Sequence, residues 1–126
     1  AKTTVDKEAT ALIINLTSDA TENPHGSLMG MHLAQKSLKN GMDVAVFLNV
    51  SGVKLMLPAS DSISFQGENL QDVLKDIMDN GGKVLACPHC MEVHKVKETD
   101  LMEGVKYVND NTVIDMIQRN ATVFTY

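Results

Sequence analysis

Two cysteines stand close together in Cys87-Pro88-His89-Cys90, and they are the side chains here best suited to covalent chemistry. A thiol works as nucleophile or metal ligand when ionised, so its use depends on where the fold puts it. The C-x-x-C spacing sets the two sulfurs one helical turn apart on one face. A reversible disulfide or a shared metal ion is then within reach. His94 extends the motif to C-x-x-C-x-x-x-H, so Cys87, Cys90 and His94 are candidate ligands for zinc, or for copper(I). A fourth ligand would come from His25, His32 or a neighbouring subunit. Met29, Met31 and His32 form a second soft-donor group by proximity in the chain. Eight methionines in all also fit flexible core filler and an oligomer interface. His89 and His94 can supply positive charge when protonated, and they equally fit exposed turn residues.

The segment that must position these thiols is a strand that runs straight into a helix. Lys83-Val84-Leu85-Ala86 reads as the strand, and Pro88 to His94 as the short helix. Proline suits the first helical position, where its missing N–H would be unpaired anyway. Cys87 then falls at the N-cap, where unpaired amides and the helix dipole favour negative charge. Ligands gather at the carboxyl ends of strands in open α/β sheets, and Cys87 lies at such an end. His25, in the polar loop expected from Thr17 to Gly26, belongs to the same edge and is a candidate to face the thiol. His32 reads as packing or interface.

The rest of the chain alternates strand and helix. Ala11 to Leu16 is a continuous apolar run, as in a strand buried on both faces. A helix is expected from Ser27 to Asn40, with Leu28, Met31, Gln35 and Leu38 on one stripe and Gly41 as its stop. Val44 to Leu48 is the second strand. Val53, Leu55 and Leu57 alternate, which suits a short strand or an ordered loop. Leu70, Val73, Leu74, Ile77 and Met78 follow helical spacing up to Gly81-Gly82. Val105 to Val108 reads as a strand. A helix follows, capped by Asn111 or Thr112 and running to Arg119, with Val113, Ile114 and Ile117 inward. Ala121 to Thr125 closes the sheet. The expected fold is a single α/β domain over residues 1–126, a three-layer α/β/α arrangement with a mostly parallel sheet of about five strands.

Composition narrows the partners. The chain has 126 residues and a net charge of −5. It carries no basic tract, which argues against a nucleic-acid backbone as the main partner. No apolar run is long enough for a membrane span. Two cysteines are too few for a secreted disulfide framework. The polar start from Ala1 to Asp6 lacks a signal-peptide core, which favours the cytoplasm. An Ala1 start also fits a mature exported chain.

These pieces together resemble the DsrE/DsrF-like family, which includes sulfur-relay proteins of the DsrE and TusD type. The likeness spans nearly the whole chain. It covers the apolar first strand, Gly41-Met42-Asp43-Val44-Ala45-Val46-Phe47-Leu48, and Gly52-Val53. It continues through Gly82-Lys83-Val84-Leu85-Ala86-Cys87, Asp100-Leu101-Met102-Glu103-Gly104-Val105 and the aromatic final strand. The strand ending in cysteine, with the later Leu-x-x-Gly-Val, is its most specific part. The resemblance implies that Cys87 is the reactive cysteine and carries sulfur as a persulfide, as in a sulfurtransferase. It implies homo- or hetero-oligomers, commonly trimers or hexamers, and sulfur donor and acceptor proteins as partners. No resident cofactor is expected.

The chain departs from the family pattern in two places. Many members lack the second cysteine, so a resolving role for Cys90 rests on its spacing. Many carry Arg-Gly where this chain has His94-Lys95, so an anion-binding role is not carried over from them. Three other readings remain: a zinc or copper module, a thiol–disulfide oxidoreductase, and an oligomeric interaction protein without turnover. Cys-Pro-His-Cys also occurs in thioredoxin-fold oxidases, but there the motif follows an early strand.

Overall fold

Continuous apolar runs make strands that need cover on both faces, and three such runs lie side by side in the middle of the sheet. The computed structural model describes residues 9–108 and 111–126, so the expected domain start at residues 1–8 lies outside the described part. The chain opens with β1 (Ala11–Leu16), α1 (Pro24–Lys39) and β2 (Asp43–Leu48). A 3-10 segment over Val50–Met56 and another at Pro58–Ser60 lead to a hairpin of β3 (Ser64–Phe65) and β4 (Glu68–Asn69). Then come α2 (Leu70–Asp79), β5 (Lys83–Ala86), α3 (Pro88–Val93) and a 3-10 turn at Glu98–Asp100. β6 (Lys106–Tyr107), α4 (Thr112–Gln118) and β7 (Thr122–Thr125) complete the fold.

The main sheet has five strands in the order β6-β5-β2-β1-β7. Every neighbouring pair in it is parallel. Alternate residues of each strand point to opposite faces, and two cores result. Leu12, Ile14, Leu16, Val44, Val46, Leu48 and Val84 pack with Leu28, Met31, Leu74 and Ile77 from α1 and α2. Ala11, Ile13, Ala45 and Leu85 turn the other way and meet Met116 of α4. The result is the expected three-layer α/β/α architecture.

Several boundaries differ from the sequence reading, each for a local reason. α1 starts at Pro24 instead of Ser27, because Asn23 caps it: its side-chain oxygen accepts the Gly26 N–H at 3.0 Å. His25 is therefore helical. The stretch around Val53 to Leu57 is a 3-10 segment, not a strand, and Val53, Leu55 and Met56 are buried. Gln71 of α2 holds it by donating to Leu55 O at 2.8 Å and Leu57 O at 2.9 Å. The β3–β4 hairpin turns through Gln66 and Gly67, both at positive φ, the geometry of a tight two-residue hairpin turn. In α4 the inward residues are Met116 and, half-buried, Val113 as expected, whereas Ile114 and Ile117 are 52% and 50% exposed. A single short helix on that face offers only one row of side chains to the sheet.

Candidate functional site

β5 carries the chain to the carboxyl edge of the sheet, and Cys87 extends its ladder by one bond, donating its N–H to Leu48 O at 3.0 Å. Pro88 stops the strand, since it has no N–H for the ladder, and its fixed φ starts α3. Cys87 is thus the N-cap, in extended conformation (φ −73, ψ 117). Its sulfur accepts the Cys90 N–H at 3.4 Å, one of the amides a helix start leaves unpaired. The far end of α3 is fixed as well. Lys95 adopts φ 57, its N–H reaches Glu92 O at 3.2 Å, and the Val96 N–H reaches Met91 O at 2.8 Å. This is a Schellman closure, with Met91 and Val96 both buried beneath it. The thiol segment is therefore anchored on both sides.

Cys90 faces the end of β2. The pairing of Leu48 with Ala86 sets Asn49 and Cys87 at the same level, one residue beyond. The Cys90 S–H donates to Asn49 Oδ1 at 3.1 Å, and its sulfur accepts the Val50 N–H at 3.1 Å. Burial pushes the Cys90 thiol up from its ordinary pKa, and the hydrogen bond and charge of Cys87 add to this; the Val50 amide pulls the other way. Asn49 Nδ2 donates to Asn15 Oδ1 at 3.2 Å, and Asn15 Nδ2 to Thr125 Oγ1 at 3.2 Å. A polar row therefore crosses the carboxyl edge from α3 to β7.

The turn after β2 is tight. Gly52 is buried, and a Cβ there would sit 2.0 Å from Leu16 O. Val50 adopts φ 51, a conformation a β-branched residue rarely takes. Further along, Lys54, Leu55, Asp19, Thr21 and Ile63 help line a cavity of about 300 Å3. Hydrogen bonds from Thr21, reinforced by Lys54, hold the Asp19 carboxyl below the ordinary carboxylate range.

The structure brings Cys87 and Cys90 together and disperses the histidines. His89 is exposed in the first turn of α3, and His94 is its half-buried C-cap. His25, exposed at the start of α1, stacks its ring on Phe65 at 4.5 Å instead of presenting it to a thiol. His32 pairs with Glu68 at 3.0 Å. Met31 is fully buried while Met29 is exposed, so Met29, Met31 and His32 form no common cluster. Among the described residues, no group of three or more His, Cys, Asp or Glu side chains is placed to hold a metal ion, so Cys87, Cys90 and His94 do not converge as ligands. Sequence reasoning passed over Asn49, Val50 and Asn15. The available signal was an asparagine at the end of each of two apolar strands, Asn15 and Asn49.

Fold and site together define a class: a parallel α/β/α domain with a cysteine pair at the carboxyl end of its third main-sheet strand. The DsrE/DsrF-like family model matches residues 11–126, and the chain belongs to that family, which is generally tied to sulfur relay. It is 27% identical over 109 residues to the uncharacterized protein MJ0989 of Methanocaldococcus jannaschii, covering 84% of this chain and 94% of that one. MTH1491 of Methanobacterium thermoautotrophicum, a protein of unknown function, shares the fold with a TM-score of 0.71 at 12% identity, covering 93% of this chain and 99% of its own. The ychN protein of E. coli does so with a TM-score of 0.65 at 18% identity, covering 94% and 99%. Among the described residues no helix is long and apolar enough to cross a membrane.

Proposed function

We propose that the protein relays sulfane sulfur, with Cys87 as carrier and Cys90 as resolving thiol. The observation that carries this reading is the Cys87 sulfur at the start of α3, accepting the Cys90 N–H at the sheet edge. In the first step the Cys87 thiolate attacks the outer sulfur of a donor such as thiosulfate. A bond forms between Cys87 Sγ and that sulfur, the donor's S–S bond breaks, and sulfite leaves with the electron pair. An acceptor thiolate on a partner protein then attacks the terminal sulfur and regenerates Cys87. His89, exposed in the same turn, is assigned the supply of positive charge beside the thiolate when protonated. His25 is assigned no part, since its ring is occupied by Phe65.

The working form is a cytoplasmic homo-oligomer, a trimer or hexamer. Exposed apolar side chains support this: Ile114 and Ile117 on α4 and Val123 on β7 are each about half exposed. The likeness to thioredoxin-fold oxidases is confined to four residues, and here the motif follows the third strand of a parallel main sheet. Intact-protein mass measurement after incubation with polysulfide tests the reading. A gain of one sulfur atom is expected in the native chain and in Cys90→Ser, and none in Cys87→Ser. An unmodified native chain would remove it.

A further inference from the structure

The Asn49 side chain makes three bonds at the site, and two of them meet at its own Oδ1. Its Oδ1 accepts the Cys90 S–H at 3.1 Å and also the Val50 N–H at 3.1 Å. The same Val50 N–H points at Cys90 Sγ, at 3.1 Å. Val50 reaches that position only by taking a positive φ, a conformation costly for a valine. Strain kept at a β-branched residue beside a thiol is a local cost that the fold retains. We propose that Asn49 is a positioning residue: with the Val50 amide it seats Cys90 as a neutral thiol, and so protects a persulfide on Cys87 from early resolution. This rests on the sulfur-relay reading given above.

Early resolution is the competing reaction of a persulfide next to a second thiol. Cys90 loses its proton and its sulfur attacks Cys87 Sγ. A Cys87–Cys90 disulfide forms, the bond to the terminal sulfur breaks, and hydrosulfide leaves with the electron pair. The proton from Cys90 converts it to hydrogen sulfide. The terminal sulfur is reduced to sulfide and Cys90 is oxidised in its place, while Cys87 Sγ stays at the disulfide level throughout. The reaction needs Cys90 as thiolate, because the thiol is the poor nucleophile.

Asn49 opposes this in two ways. Its carbonyl oxygen accepts only from the S–H form, so it stabilises the thiol against the thiolate. It also shares the Val50 N–H, which would otherwise be given wholly to the sulfur and favour its charge. Among the described residues, the titratable group acting on the Cys90 sulfur is Cys87. The bond from Asn49 Nδ2 to Asn15 holds the amide in the orientation that presents its oxygen to Cys90.

Two substitutions test the seat. Asn49→Leu keeps the approximate size and removes the acceptor; Asn49→Asp keeps the shape and adds negative charge. In a Cys87→Ser background, the pH profile for iodoacetamide alkylation of Cys90 should move to lower pH in Asn49→Leu and to higher pH in Asn49→Asp. In protein loaded with polysulfide, Asn49→Leu should release sulfide about fivefold faster, the effect of losing one hydrogen bond to the thiol form. Asn49→Asp should release it more slowly, and Cys90→Ser should abolish the difference. Alkylation profiles that coincide in all three proteins, or slower release from Asn49→Leu, would overturn the proposal. If Asn49→Leu fails to fold, Asn49→Asp decides the matter by the direction of its shift. If Cys87 takes up no sulfur, the relay reading fails, and the alkylation profiles still decide whether Asn49 seats Cys90.

Discussion

At the scale of single residues, the two thiols are unequal because their surroundings differ. Cys87 ends a strand and caps a helix, and its sulfur receives an amide. Cys90 is pushed toward its protonated form by burial first, then by Cys87. Its alkylation rate should therefore still be climbing above pH 9.0, the ordinary value for a thiol, which a pH series on the native chain with Cys90 followed by peptide mapping would read. Cys90→Ser should lengthen the life of a persulfide on Cys87, since the intramolecular attacker is gone. Loss of persulfide at an unchanged rate in that variant would remove Cys90 from the resolving role.

At the scale of elements, the site depends on two turns that bring α3 and the end of β2 together. Gly52 admits no side chain because Leu16 O lies where its Cβ would be. Gly52→Ala should cost about 3 kcal/mol in denaturant melts, the range for forced overpacking, and should shift the neighbouring Val50 amide. The end of α3 holds the opposite case. Lys95 occupies a left-handed position that glycine fills more easily, so Lys95→Gly should raise stability by about 1 kcal/mol. These turns also show what the sequence could convey. α1 and α2 end at Gly41 and Gly81, both at positive φ, and their ends were readable from glycine alone. α3 and α4 close in the same way on Lys95 and Asn120. Their ends are legible to within a residue at His94 and Arg119, but the left-handed residue that follows is not, because it turns Val96 into the core and half-buries Ala121, which no local pattern announces. The strand leading into Cys87 and the N-cap were legible, because apolar continuity and proline act locally. The seat at Asn49 was not, because it depends on the pairing of β2 with β5, strands about forty residues apart in register (Leu48 with Ala86).

At the scale of the whole molecule, the two edges of the sheet have separate tasks. The carboxyl edge holds the thiols. The amino edge is tied by Asp43, which accepts from Lys83 at 2.6 Å and from Arg119, linking β2, β5 and the end of α4. Burial alone would raise the Asp43 carboxyl, but hydrogen bonds from Lys83 and Arg119 outweigh it and hold the pKa below 3.8. Its contribution is therefore present above that value and lost as pH falls through the lower folded value. Asp43→Asn should flatten the acid side of the stability curve while leaving sulfur uptake at Cys87 intact. The exposed isoleucines of α4 make a separate prediction. For the proposed homo-oligomer, Ile117→Asp should give monomers by light scattering, while a mass equal to that of the native chain would contradict a subunit contact through this face of α4. The most direct measurement of the central claim uses thiosulfate labelled in its outer sulfur, with the label located by peptide mapping. The account predicts label on the peptide that carries Cys87, retained in Cys90→Ser and absent from Cys87→Ser. Label that survives in Cys87→Ser, or no label in the native chain, would contradict it.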